Sequence, residues 1–326
     1  MNTDRFFVTG ALGCLGAWVV RNLVQDNTPV TVYDLGNNKS RLQLIMSDEE
    51  LSQVQFITGD ITDTTALETA MKQAETTHII HLAALQVPFC RANPPLGARV
   101  NVVGTVNIFE AAKNLGLKHV VYASSVAVYG RADEYAERII PNDAMQRPRN
   151  LYGVYKQANE GTAFIYQQDY GINSIGLRPY TIYGPGRDQG MTSTPTKAML
   201  AAAAGKPYHI SFGGYNGFQY VDDVAKIFIQ CARTEYYGAG AFNLGGSIAH
   251  MKEVVAAIEA AVPEMAGQIT FADQPLALPD GTEDSELVKA VGAVPNTPLA
   301  EGVAATIQSF KQALAENKVS LDQLNS

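Results

Sequence analysis

The chain has 326 residues, 46% of them hydrophobic and 17% charged, with 28 glycines and 15 prolines. That length suits two typical domain units or one large α/β unit with insertions, and the apolar share excludes a wholly disordered chain. Lysine and arginine total 24 against 32 aspartates and glutamates, and the net charge of −8 argues against a nucleic-acid or membrane-surface partner. Arg5–Thr9 reads as a buried strand, Gly10–Gly16 as a turn and Ala17–Gln25 as a helix. Val30–Asp34, Val54–Thr58 and His78–His81 follow as strands two to four. Pro94–Leu115 carries a helical period throughout, His119–Ala123 is strand five, Leu151–Asp169 a helix and Asn173–Leu177 strand six. Strands without a polar face, alternating with helices, predict an α/β fold with a doubly wound parallel sheet covered on both sides.

After Arg178 the pattern loosens. Gly184–Gly190 is a loop, Thr196–Ala204 a helix, His209–Gly217 a turn-rich stretch, Val221–Cys231 a helix and Phe242–Leu244 a short strand. A helix over Met251–Val262 and a Pro/Asp-rich segment over Asp273–Asp284 precede a last helix at Leu299–Glu316. Three cysteines (Cys14, Cys90, Cys231) are odd in number and far apart, so no disulfide framework is expected. The five histidines form no ligand-spaced cluster, so no metal is expected either. Residues 1–9 lack a basic start followed by an apolar core, and no window of about 18 apolar residues exists. The expectation is a cytoplasmic protein without a membrane span.

Thr9–Gly16 reads TGALGCLG, with Gly10, Gly13 and Gly16 between a strand and a helix. In that setting the first glycine turns the chain, the second admits a pyrophosphate to the backbone and the third packs helix on strand. The helix that starts there offers unpaired N–H groups to phosphates, so Leu12, Cys14 and Leu15 join the glycines as cofactor contacts. Asp34 closes strand two 18 residues after Gly16, where a carboxylate accepts from ribose hydroxyls and repels a 2′-phosphate, favouring NAD over NADP. Lys39 and Arg41 nearby would partly rescue NADP. Asp60, before Ile61, suits either the adenine amino group or a helix N-cap.

Residues 152–156 read YGVYK, which puts Tyr152 and Lys156 on one helix face. A phenol with a pKa of about 10 is a poor base at neutral pH, and a neighbouring ammonium would lower it. Lys156 thus suits two tasks, activating Tyr152 and bonding the nicotinamide ribose. ASSVAVYG leaves strand five at the carboxyl edge, where Ser125, with Ser124 as competitor, is placed to hold the reacting oxygen.

With these residues assembled, the sequence resembles the extended short-chain dehydrogenase/reductase family, the NAD-dependent epimerase/dehydratase group. The pieces are TGALGCLG, Asp34, GDI at 59–61, HLAA at 81–84, NVVGT at 101–105, SSVAVYG at 124–130, YGVYK at 152–156, RPYTIYGPG at 178–186 and YVDDVA at 220–225. The resemblance implies a Rossmann-type domain over 1–178, rejoined by about 218–248, and a smaller substrate-binding lobe formed mainly by 179–326. It implies a Ser125–Tyr152–Lys156 triad, with Leu82, Ala83, Ala84, Asp60, Ile61, Asn101, Ser124 and Tyr180 beside the cofactor. It also implies a homodimer built on the Pro94–Leu115 helix and the helix that bears Tyr152.

Two departures bear on substrate. Thr181 stands where many nucleotide-sugar members carry Asn, and Asn216-Gly217 where they carry the Arg-Asp pair whose arginine clamps a diphosphate. Gln86 and Arg91, in the segment after strand four, and Arg187 are the remaining candidates, and either arginine suits a single carboxylate. The expected activity is NAD-dependent oxidation of a secondary hydroxyl on a small sugar or sugar acid, with a nucleotide-sugar 4-epimerase that retains NAD as the alternative. A dehydratase is disfavoured by Val126-Ala127, where acidic residues would be expected.

Overall fold

Four consecutive buried residues form β1 (Phe6–Thr9), the strand around which the rest is ordered in the computed structural model, which describes residues 4–325. β2 (Val30–Asp34), β3 (Gln55–Thr58), β4 (His78–His81) and β5 (His119–Ala123) follow. Next come β6 (Ile139–Ile140), β7 (Asn173–Arg178), β8 (Thr181–Tyr183), β9 (Tyr208–Ile210) and β10 (Tyr215–Tyr220). The last are β11 (Ala239–Asn243), β12 (Ser247–His250), β13 (Ile269–Phe271) and β14 (Gly281–Thr282). Seven of them make one sheet in the order β3-β2-β1-β4-β5-β7-β11, parallel throughout. The order reverses between β1 and β4, which opens a crevice at their carboxyl ends.

Alternate residues of these strands point to opposite faces, and both faces are buried. Phe6, Val8, Val32, Ile80 and Val121 pack with the helices Cys14–Gln25 and Val221–Arg233. Phe7, Tyr33, Ile79, Val120 and Tyr122 pack with Thr64–Gln73, Gly104–Asn114 and Leu151–Tyr170 on the other side. β3 departs from the expectation of strands buried on both faces: it is the sheet's edge, and Gln55 and Thr58 are exposed.

A second core holds the chain's last third together. Helices Thr194–Ala203, Met251–Ala261 and Leu299–Ala315 bury Met199, Ile258 and Phe310 against Phe212 and Phe218. The stretch at 209–217, expected to be turns, contains most of β9 and the start of β10. β9 pairs with β13 and β10 with β8 and β12, so distant partners rather than local pattern make these strands.

The helix expected over Pro94–Leu115 is divided. Pro94–Ala98 leads into a π-helical turn at Arg99–Val103 and then Gly104–Asn114. The wide turn coincides with Asn101, which is fully buried and bonded to Leu85 on both sides: Nδ2 donates to the carbonyl at 2.9 Å and Oδ1 accepts from the amide at 2.7 Å. A tertiary contact thus accompanies a break that periodicity conceals.

Phe228 is fully buried in the core shared by the sheet and the Cys14–Gln25 helix. Phe228→Ala is expected to lower unfolding stability by about 3–5 kcal/mol, read from urea denaturation, while NADH affinity stays unchanged.

Candidate active site

The crevice is built first from backbone. Gly10 has φ +67°, and a Cβ there would lie 2.5 Å from Ala83 N. The turn after β1 therefore rests directly on the turn after β4, with Leu82 N donating to Thr9 O. At Gly16 a Cβ would lie 2.5 Å from Ala11 Cα, so the helix can start only because that atom is missing. Gly13 is the N-cap, without a capping side chain, and the first turn of the Cys14–Gln25 helix holds no acid. Its leading N–H groups face the crevice as an anion site.

Asp34 is fixed by two backbone amides, Leu12 N at 3.0 Å and Gly36 N at 3.3 Å. The cations expected to accommodate a 2′-phosphate are engaged elsewhere. Arg41 holds Asp188 (Nη2 to Oδ1, 2.7 Å) and donates to Leu12 O at 3.0 Å, and Lys39 Nζ lies 3.5 Å from the Phe56 ring centroid. Asp60 Oδ1 accepts from Thr62 N, and the following helix is capped by Asp63 instead, which corrects the N-cap reading. Ile61 is buried and its carbonyl accepts from Asn107. A buried hydrogen-bond chain supports this edge from behind: Thr9 Oγ1 to His81 Nδ1 at 2.7 Å, and His81 Nε2 to Thr105 Oγ1 at 3.1 Å. Burial holds the His81 pKa down at about 3, so the imidazole is neutral.

Ser125, Tyr152 and Lys156 come together at the end of β5. Asn150 caps the Leu151–Tyr170 helix, and Gly153 meets Ala127 O so closely that a Cβ would collide. That contact sets Tyr152 near Ser125, whose side chain acts to lower the Tyr152 pKa. Ser125 Oγ also accepts from Ala127 N at 3.1 Å. Lys156 is 3% exposed; its Nζ donates to Ala123 O at 2.6 Å and lies 5.6 Å from the Tyr152 ring centroid.

The electrostatics differ from the expectation of a lysine-lowered phenol. Burial raises the Tyr152 pKa, and what opposes it is the Ser125 hydrogen bond and the Arg187 charge rather than Lys156. Burial in turn lowers Lys156 to about 8. A desolvated site disfavours both charged forms, which explains why the two move toward neutrality.

Ser124 is buried and donates to Glu160, so of the two serines only Ser125 faces Tyr152. Tyr180 turns its hydroxyl away from the crevice to Pro279 O, at 2.6 Å. Thr181 is buried in β8. Arg91 is exposed on the short Val87–Ala92 helix, whereas Arg187 is half-buried, donates from Nη2 to Thr192 Oγ1, and leaves a buried Nε with no partner. Gln86 Oε1 and Arg187 Nη2 converge on Gly190, so the turn after β4 and the 184–193 loop meet over the site. Sequence reasoning did not find Glu160, Asp188 or His81. Glu160 at Lys156 + 4 was the one with a signal, being the next residue on the same helix face.

The glycine turn at a sheet's switch point, facing a Ser-Tyr-Lys cluster, defines a dinucleotide-dependent class of α/β enzyme. Comparison with known proteins agrees. The family model described as the NAD dependent epimerase/dehydratase family matches residues 6–245, and the chain belongs to that family. It is 29% identical over 323 residues to a UDP-glucose 4-epimerase of Mycolicibacterium smegmatis, covering 94% of this chain and 98% of that one. It is 33% identical to UDP-glucuronate 4-epimerase 2 of Arabidopsis thaliana, covering 67% of this chain and 52% of that one. The solved UDP-glucose 4-epimerase of Thermus thermophilus, in complex with NAD, superposes with a TM-score of 0.79 at 26% identity over 95% of this chain and 99% of that one. A consensus L-threonine 3-dehydrogenase shares the fold, with a TM-score of 0.83 at 22% identity over 95% of this chain and all of that one.

The cofactor is NAD, and the residues present fit it: a turn with glycine at its close approaches, an uncapped helix start, and a carboxylate fixed beside the turn by Leu12 N. No helix among the described residues is long and apolar enough to cross a membrane. Gly10→Ala forces a strained φ and a backbone collision, so NADH affinity is expected to fall by about tenfold or more, read by fluorescence titration.

Proposed function

We propose that the protein is an NAD-dependent oxidoreductase that oxidises a secondary hydroxyl of a small sugar or sugar acid, with Ser125, Tyr152 and Lys156 as its reacting set. NAD, when bound, supplies the hydride acceptor. Tyr152, once its own phenol proton has left to solvent, takes the hydroxyl proton, and Ser125, whose side chain works against burial to favour the phenolate, holds the reacting oxygen. Lys156, which burial lowers to about 8, anchors the ribose side. Gly10, Leu12, Gly13, Cys14, Leu15, Gly16 and Asp34 hold the dinucleotide, with residues 82–84 as its inner wall.

The observation that carries the substrate class is Arg187. Its Nε is buried and unpartnered, and its charge acts on the Tyr152 phenol, so a single anionic substituent close to the reacting carbon would complete it. The position where related chains carry a diphosphate-clamping arginine is Asn216, fully buried in β10. Gln86, on the opposite wall, suits a sugar hydroxyl. Arg91, exposed, is set aside.

A nucleotide-sugar 4-epimerase is the second reading, favoured by the epimerase relative that matches nearly the whole chain. One panel separates them: NADH formation from external NAD with uronates, aldonates, neutral aldoses and UDP-sugars. Turnover of an acid with accumulating NADH is expected. Interconversion of UDP-sugars without net NADH overturns the first reading in favour of the second. In either case Tyr152→Phe is expected to lower kcat by about 10²–10⁴-fold with NADH affinity retained.

We also propose a homodimer. Leu151, Val154 and Ile165 lie exposed on one stripe of the Tyr152 helix, beside exposed Leu96 and Val103 on the neighbouring helical segment. An apolar surface of that kind, continuous over two helices, suits a second copy of itself. Val154→Asp with Ile165→Asp is expected to yield monomers in sedimentation, where the unaltered chain sediments as a dimer.

A further inference from the structure

Glu160 lies one helical turn beyond Lys156 and has none of the roles above. Both of its oxygens are used twice. Oε1 accepts from Ser124 Oγ at 2.5 Å and Arg178 Nε at 2.8 Å, and Oε2 from Gln146 Nε2 at 2.5 Å and Arg178 Nη2 at 2.7 Å. Arg178 directs Nη1 the other way, to Tyr129 OH at 2.6 Å and Asn142 O at 2.9 Å. Tyr129 OH donates on to Asn243 Oδ1 at 2.7 Å. The pair is nearly buried, with side chains 6% and 9% exposed, and it ties together the ends of β5, β7 and β11, the loop after Ser125 and the Tyr152 helix. Buried ion pairs add little net stability, because desolvation offsets the attraction, so stability alone is a poor account of this one.

The titratable groups facing Lys156 come from three elements: His81 on β4, Cys90 on the Val87–Ala92 helix, and Tyr152 and Glu160 on its own helix. Burial keeps the Cys90 thiol and the Tyr152 phenol protonated and the His81 imidazole neutral. Glu160, held through both oxygens by the Arg178 guanidinium, is the carboxylate among the four.

We propose that Glu160 is a positioning residue: clamped by Arg178, it holds the serine turn against the Tyr152 helix and keeps a negative charge beneath the Lys156 ammonium. The inference rests on Ser125, Tyr152 and Lys156 being the reacting set. The test is NADH affinity by fluorescence between about pH 6 and 10, in the unaltered chain, Glu160→Gln, Glu160→Asp, Ser124→Ala and Lys156→Met. NADH binding is expected to weaken several-fold with a midpoint near the Lys156 value of about 8. Glu160→Gln should move that midpoint down by about one unit, because the opposite charge is gone, while Glu160→Asp restores it. Ser124→Ala should leave the midpoint in place and lower kcat several-fold on the panel member that reacts fastest. A folded Glu160→Gln chain with an unmoved midpoint overturns the inference. So does Ser124→Ala with unaltered kcat, which decides the matter should Glu160→Gln fail to fold by circular dichroism. A midpoint that persists in Lys156→Met instead sinks the assignment of Lys156 itself.

Discussion

Backbone must touch backbone where β1 and β4 end, and most of the site follows from that contact. Gly10, in a left-handed conformation, lies against Ala83 with no space for a side chain. The contact sits at the point where the strand order reverses, so the glycine turn opens into a crevice rather than onto a flat sheet edge. The Thr9–His81–Thr105 chain and the Asn101 bonds to Leu85 keep the two turns in register. The same economy of side chains recurs at Gly153, where the Tyr152 helix meets the turn after β5.

The loop at 184–193 is fastened to this edge through polar contacts with the glycine turn and the helix that follows it. Trp18 Nε1 donates to Pro185 O at 2.9 Å, and Arg41 joins Leu12 O to the Asp188 carboxylate. Asp188 is adjacent to Arg187, so the Arg41–Asp188 pair steadies the stretch that carries the unpartnered Arg187 Nε. The glycine turn and the 184–193 loop are therefore mechanically joined.

Desolvation dominates the chemistry of the cluster. It raises Tyr152 and lowers Lys156, and the counterweights are specific: Ser125 and the Arg187 charge for the phenol, and Cys90 ahead of Glu160 for the ammonium. Each counterweight comes from a different stretch of chain. The electrostatic surroundings of the Tyr152 phenol are thus a property of the assembled crevice and not of the YGVYK segment.

Local pattern was enough for six strands of the main sheet, since a parallel strand needs only a short apolar run bounded by turns, but it placed the seventh, β11 (Ala239–Asn243), at Phe242–Leu244. It was enough, too, for the glycine turn, Asp34 and the Tyr152–Lys156 face, because each depends on spacing within one or two elements. It could not give β9 or β10, which exist through partners far along the chain, nor the π-helical turn at Asn101, which answers a contact with Leu85. Nor could it separate Arg187 from Arg91, assign Arg41 to Asp188, or expose the Glu160–Arg178 clamp. Those depend on which charges are buried together, and burial is decided only when distant segments pack.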